Sequence, residues 1–179
     1  MPNEEILKSE GKIEPSPFIA KEDTLKQLNP AYVQAVRETV SASPFFRHLS
    51  MTIREMGIGS AVVDLDVDTE HLQAFGYVHG GVYASAIDTA AFWSAFCELE
   101  EGTGITTVDL KVNYLAPVKT GKLTAEGKRI KMGKTLGLAE ATVKDARGRV
   151  VAHGTSTLIV LPGFGLAGGI TLPPKFLEG

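Results

Sequence analysis

Apolar positions change their spacing several times along this chain. Val33, Val36 and Val40 recur at the spacing of one helix face. Asn29-Pro30 suits the start of that helix, because Asn caps and Pro fits the first turn. Ser43-Pro44 is expected to stop it. From Leu49 the period becomes two. Leu49, Met51 and Ile53 alternate with Ser50, Thr52 and Arg54, then Gly57 and Gly59 make a turn. Val63, Leu65 and Val67 alternate with Asp64, Asp66 and Asp68, which predicts a second half-buried strand. From Gly80 to about Glu98 the chain is almost continuously apolar, with small residues at Ala84, Ser85, Ala86, Ala90, Ala91 and Ala95. A helix that is apolar all round is a buried one.

Four more strands are predicted. Val108, Leu110, Val112 and Tyr114 alternate with Thr107, Asp109, Lys111 and Asn113, which puts Thr107 on the polar face. Leu123–Met132 follows, with Gly133-Lys134 as its turn, and Thr135–Lys144 returns. Asp145–Gly148 is a further turn, and Val150–Leu161 closes the set before Pro162-Gly163. Short turns predict antiparallel neighbours. The expected architecture is therefore an α+β layer fold: one long central helix wrapped by an antiparallel sheet of about six strands, with an N-terminal helical extension. Residues 1–43 read as an arm and helix, 44–162 as the domain and 163–179 as a Gly- and Pro-rich tail. Residues 1–20, polar and carrying Pro2, Pro15 and Pro17, read as a flexible arm.

Composition narrows the function. The chain has 179 residues, fitting one domain, and a formal net charge of -3 with no basic run, so nucleic acid is not an expected partner. Cys97, in an apolar stretch, is the single cysteine and can form no intrachain disulfide. The N-terminus shows no apolar signal region. The longest apolar stretch carries Asp88, and an Asp at a bilayer centre costs roughly 2.5–3.5 kcal/mol. A cytoplasmic protein without a membrane span is expected. His48, His71, His79 and His153 lack metal-ligand spacing, so neither a metal nor a cofactor is expected.

The segment from Phe75 to Phe92, FGYVHGGVYASAIDTAAF, carries the candidate chemistry. Two glycines open a helix whose first amides have no intrahelical acceptor and sit at its positive end. Such amides can stabilise an oxyanion, although two glycines also fit a simple turn with close packing. Asp88 is a lone carboxylate on an apolar helix, with Ala84, Ser85, Ala91 and Phe92 at helical spacing and no cation among them. Burying it unpaired costs several kcal/mol. Gly80 and Asp88 are eight residues apart, about 12 Å along a helix. One reacting carbonyl cannot lie within about 3 Å of both. If both groups act, they come from two chains, so a dimer or a dimer of dimers is expected.

HGG followed seven residues later by Asp88, then TTVDLKVNYLAPVKTG from Thr106 and KMGKTL from Lys131, resembles the PaaI-like (phenylacetate-degradation type) hotdog thioesterases from about Pro44 to Leu161. The resemblance implies hydrolysis of an acyl-CoA to free acid and CoA. It assigns Asp88 as base or nucleophile and the Gly80 N–H as the group polarising the thioester carbonyl. It assigns Gln73 to placing substrate or water and Thr107 to orienting the water. Members carry Asn and Ser where this chain has Gln73 and Thr107; both keep the hydrogen-bonding chemistry. CoA contacts are implied for Tyr114, Lys131, Gly133 and Lys134, beside the helix start at His79 and Gly81. Two other readings stay open on sequence: a non-catalytic acyl-CoA binding module, and a hotdog hydratase or dehydratase. Lys128 and Arg129 suit either CoA phosphates or a solvated strand face. Ser85 and Cys97 lack a His–acid relay in sequence, which disfavours them as nucleophiles.

Overall fold

The computed structural model describes residues 26–164 and 171–177; the expected arm over residues 1–20 lies outside the described residues. Helix α1 spans Pro30–Ser41, and the Asn29 side chain accepts the Ala31 N–H at 3.0 Å. Ser43-Pro44 does end it, but Pro44 also opens a short second helix, α2 (Pro44–His48). Pro at the first helical position costs no hydrogen bond, so the same residue stops one helix and starts the next. Strands β1 (Met51–Gly57) and β2 (Ser60–Val67) pair antiparallel across the Ile58-Gly59 turn. A 3-10 turn at Thr69–His71 and a loop lead to helix α3 (Gly80–Phe96). Four strands follow: β3 (Thr103–Tyr114), β4 (Gly121–Met132), β5 (Leu136–Asp145) and β6 (Val150–Pro162).

The six strands form one antiparallel sheet in the order β1-β2-β4-β5-β6-β3. One expectation fails here. The short connection from Leu115 to Thr120 does not make β3 and β4 neighbours. Strand β4 pairs with β2, and β3 crosses to pair with β6 at the far edge. All six strands pack against α3, and the chain leaving β3 at one edge enters β4 in the interior of the sheet, between β2 and β5.

Close approach of helix and sheet explains two glycines. A Cβ on Gly127 of β4 would lie 2.1 Å from the Ala90 carbonyl oxygen of α3. One on Gly154 of β6 would lie 2.5 Å from the Lys111 oxygen and 2.9 Å from Ile87 Cγ2. The small residues Ala86, Ala90, Ala91 and Ala95 are buried on the helix side of the same contact. Backbone meets backbone where the sequence removes side chains, and Trp93, Ile87, Leu65 and Leu123 fill the remaining space.

The described segments just before α1 and around Lys175 meet at the C-terminal end of α3. Leu28 bridges Phe176, and Asn29 N–H donates to the Lys175 carbonyl at 3.0 Å. Lys175 is buried, its ammonium donating to Phe96 O at 2.8 Å and Leu99 O at 2.6 Å over the Phe96 ring. It gives a second donor to the Phe96 carbonyl, which also accepts the Leu99 N–H at 3.2 Å, at the helix pole where a cation is favoured. Burial nevertheless pulls its pKa down to about 8, and burial pushes the neighbouring Cys97 thiol up to about 12. Cys97 is thus a buried, protonated thiol and an inert one.

Candidate active site

The sequence-predicted site residues fall into three places. The first is the start of α3. His79 is its N-cap, and its Nδ1 accepts the Gly81 N–H at 2.9 Å. That amide is therefore used inside the chain. The Gly80 N–H has no acceptor among the described residues. Tyr114, from the end of β3, lays its ring against Gly80 and donates its hydroxyl to Gly80 O at 3.2 Å. A Cβ at Gly80 would come within 3.1 Å of that ring, which is why glycine suits the position. Gln73 closes the loop before the helix: its Oε1 accepts the Phe75 N–H at 2.6 Å, leaving its amide donors free to turn outward. Gln73, Gly80 and Tyr114 share the wall of a cleft of about 420 Å³ with Tyr77, Tyr83 and Leu115.

The second place is two turns along the helix. Thr107 Oγ1 donates to Asp88 Oδ1 at 2.7 Å. Asp88 is half-buried, and among the described residues no donor reaches Oδ2. Strict alternation put Thr107 on the polar face, away from the helix. A β-bulge between Thr107 and Asp109 corrects this. Thr107 pairs with Leu158, Asp109 pairs with Thr157, and Val108 is the extra residue. One inserted residue shifts the phase of the strand. Thr107 therefore shares the helix-facing side with Ile105 while Leu110 and Val112 keep theirs.

The third place is the β4–β5 turn. Lys131, Gly133 and Lys134 are exposed, and the turn is closed by Gly133 N–H donating to Leu136 O at 2.8 Å. Register runs from Thr107 through Leu158 to Gly137. Two strand spacings separate the ends of that row, roughly 10 Å. The lysine turn thus lies at the Asp88 end of the molecule, whereas Tyr114 is seven residues further along β3, roughly 20 Å away. Arg129 belongs to none of these groups, because it pairs with Glu98 at 3.1 Å beside the end of α3.

Two residues of this neighbourhood escaped the sequence reading. Tyr83 stands three residues after Gly80, so helical spacing alone puts it on the same face. Its ring lines the cleft, and burial pushes its hydroxyl pKa up, the Val118 backbone only partly opposing this. His71 is buried beneath the loop. Its position in sequence gives no hint of that, since nothing around it is periodic.

The comparisons with known proteins agree with the geometry. The sequence profile of the thioesterase superfamily matches residues 75–152, which span α3 and most of the sheet. The crystal structure of a thioesterase family protein from Silicibacter pomeroyi is 31% identical, with a TM-score of 0.68 over 74% of this chain and 99% of that one. This chain belongs to the thioesterase superfamily. It has the hotdog fold and is a thioester hydrolase of the PaaI-like type. Human acyl-coenzyme A thioesterase 13 is 27% identical over 131 residues, covering 69% of this chain and 93% of that protein. A thioesterase from Haemophilus influenzae, 24% identical, shares the fold with a TM-score of 0.69 over 76% of this chain and 94% of that one. Within this superfamily chain no helix among the described residues is long and apolar enough to cross a membrane.

Proposed function

We propose that this protein hydrolyses acyl-CoA thioesters at a site shared by two copies of the chain. One copy supplies Asp88 and Thr107, the other supplies Gly80 and Gln73. The observation that carries this reading is the split just described. The start of α3, with the Gly80 N–H, and its midpoint, with Asp88, lie about 12 Å apart along the axis of one chain, too far to act on one carbonyl. Human acyl-coenzyme A thioesterase 13, covered over 93% of its length, supports acyl-CoA as the substrate class.

The β3 edge supports the pairing. Among the described residues strand β3 has a neighbour on one side only; it is twelve residues long and exposes Val108 at 56% and Tyr114 at 59%. An exposed apolar edge of that length invites another strand. Two β3 strands running antiparallel about a two-fold axis near Leu110 and Lys111 would set the Thr107 end of one beside the Tyr114 end of the other. The two half-sites then meet twice per dimer.

In the joined site the thioester carbonyl oxygen points at the Gly80 N–H of one copy. Asp88 Oδ2 of the other takes a proton from water, which attacks the carbonyl carbon. The C–S bond breaks, the proton passes to the CoA sulfur, and the free acid leaves. Direct attack by Oδ2 followed by hydrolysis of the anhydride gives the same products. In either route Thr107 holds the carboxylate in place. The lysine turn, at the Asp88 end, faces the CoA phosphates. His79 is ill placed for hydratase chemistry, since its Nδ1 already caps Gly81. Thr107→Val keeps the shape and removes the hydrogen bond to a charged group, worth about 1.5–3 kcal/mol. We expect kcat about tenfold lower or worse in a thiol-release assay, with the circular dichroism spectrum unchanged.

Complementation between chains tests the shared site. Asp88→Asn and Gly80→Val homodimers should both be inactive, because every site lacks one half. A mixed dimer places both lesions in one site and leaves the other whole. Subunit exchange should restore up to about a quarter of wild-type activity at random pairing, treating the two sites as independent. If mass spectrometry shows exchange between folded variants and no activity returns, the shared site is wrong.

A further inference from the structure

Beneath the loop that carries Gln73 to Gly80 sits a buried imidazole that no step above uses. His71 is 3% exposed. Its Nδ1 accepts the Asp68 N–H at 2.9 Å, completing the capping box of the Thr69–His71 turn. Nδ1 is therefore unprotonated, and the ring proton resides on Nε2, which faces the His48 carbonyl at 3.4 Å. The His71 backbone is engaged as well. Its N–H donates to Asp68 O at 3.0 Å, and its carbonyl accepts the His79 N–H at 2.8 Å. One residue thus joins the end of α2, the 3-10 turn and the N-cap of α3.

That last bond matters most. The His79 N–H precedes by one residue the Gly80 amide that faces the carbonyl. On the other side of His71, Leu72 bridges Val78, and Gln73 N–H donates to Tyr77 O at 2.8 Å. The loop from Leu72 to Val78 is therefore a closed clasp that runs on from His71, its far end held by the His79 N–H on the His71 carbonyl and by the Val78 N–H on the Val118 carbonyl at 2.8 Å. Gln73 sits inside the clasp and Gly80 directly after it.

We infer that His71 is a positioning residue for thioester hydrolysis, its buried imidazole anchoring the backbone whose carbonyl holds the clasp, and with it Gln73 and the Gly80 N–H, toward one cleft. The inference rests on the reading of Gly80 and Gln73 given above. Its physical basis is that a displacement of about 1 Å at a reacting centre costs on the order of 100-fold. A leucine has nearly the volume of the imidazole but returns neither hydrogen bond, and the Asp68 N–H becomes an unpaired donor. An asparagine keeps an acceptor where Nδ1 stands.

Three single variants, one double variant and two readouts test it in the full chain, with an acyl-CoA panel and a thiol-detecting assay. His71→Leu should lower kcat at least about tenfold while KM moves less, after correction for the folded fraction. His71→Asn should recover most of that loss. In the Gln73→Ala background His71→Leu should cost much less than in wild type, because both act on one clasp. Amide exchange at His79 should quicken in His71→Leu while exchange within β4 and β5 does not. Loss no greater than the unfolded fraction, full additivity with Gln73→Ala, or unchanged exchange at His79 overturns the inference and leaves the reaction standing. No thiol release by wild type from any acyl-CoA overturns the reaction on which the inference rests.

Discussion

Asp88→Asn should reduce kcat at least about 100-fold, the low end for removing a general acid–base group. The variant keeps the shape and one oxygen of the carboxylate, and Thr107 Oγ1 can still donate to that oxygen across the present 2.7 Å. Fold and CoA affinity should therefore persist, as read by thermal melting and calorimetric titration with CoA. The contrast with Thr107→Val is informative. If Thr107 only steadies the carboxylate, its loss in an Asp88→Asn background should cost little more. Activity of Asp88→Asn within a few-fold of wild type would remove Asp88 from the chemistry altogether.

The second large effect concerns stability. Gly127→Ala should lower the melting temperature by roughly 6–12 °C, taking about 3 kcal/mol for overpacking at a chain of this size. The added carbon would stand 2.1 Å from Ala90 O and 2.4 Å from Ala90 C, both backbone atoms of the central helix. No flexible side chain can turn aside, so either β4 or α3 must move. Gly148, whose φ is 77° with open space around a Cβ, makes a useful contrast. Substitution there strains a turn and should cost less than at Gly127. A melting temperature for Gly127→Ala equal to wild type would show that the helix and sheet are not in the contact described.

Much of this was legible in the sequence, and the failures have identifiable causes. A period of two located the first three strands, turn residues bounded the last three, and an unbroken apolar run marked the central helix. Asn29-Pro30 marked a helix start by a local rule, and the Asn29 side chain does make the capping bond. What escaped were relations that no local pattern encodes. Sheet order is one: the six-residue link after Tyr114 looked like a hairpin, yet β3 pairs with β6 and β4 enters between β2 and β5 instead. The face of Thr107 is another. Val108 is apolar and keeps the alternation intact on paper, while the bulge that turns Thr107 toward Asp88 appears only in the register with β6. At the site, the separation of Gly80 from Asp88 followed from helix rise alone. The clasp on His71 did not, because its bonds join residues far apart in sequence through backbone atoms, which leave no mark on residue type.

The strand order also sets a schedule for synthesis. Strand β3 leaves the ribosome long before β6, its single partner among the described residues. Roughly 50 residues separate the end of one from the end of the other, about 2.5–10 s at 5–20 residues per second. Through that interval a long strand with apolar Val108, Leu110 and Val112 waits without a neighbour on either side. The edge proposed above to pair two copies is, during biogenesis, open to wrong pairing with another nascent chain. Charges at Asp109 and Lys111, alternating with those apolar positions, interrupt such pairing as gatekeepers do.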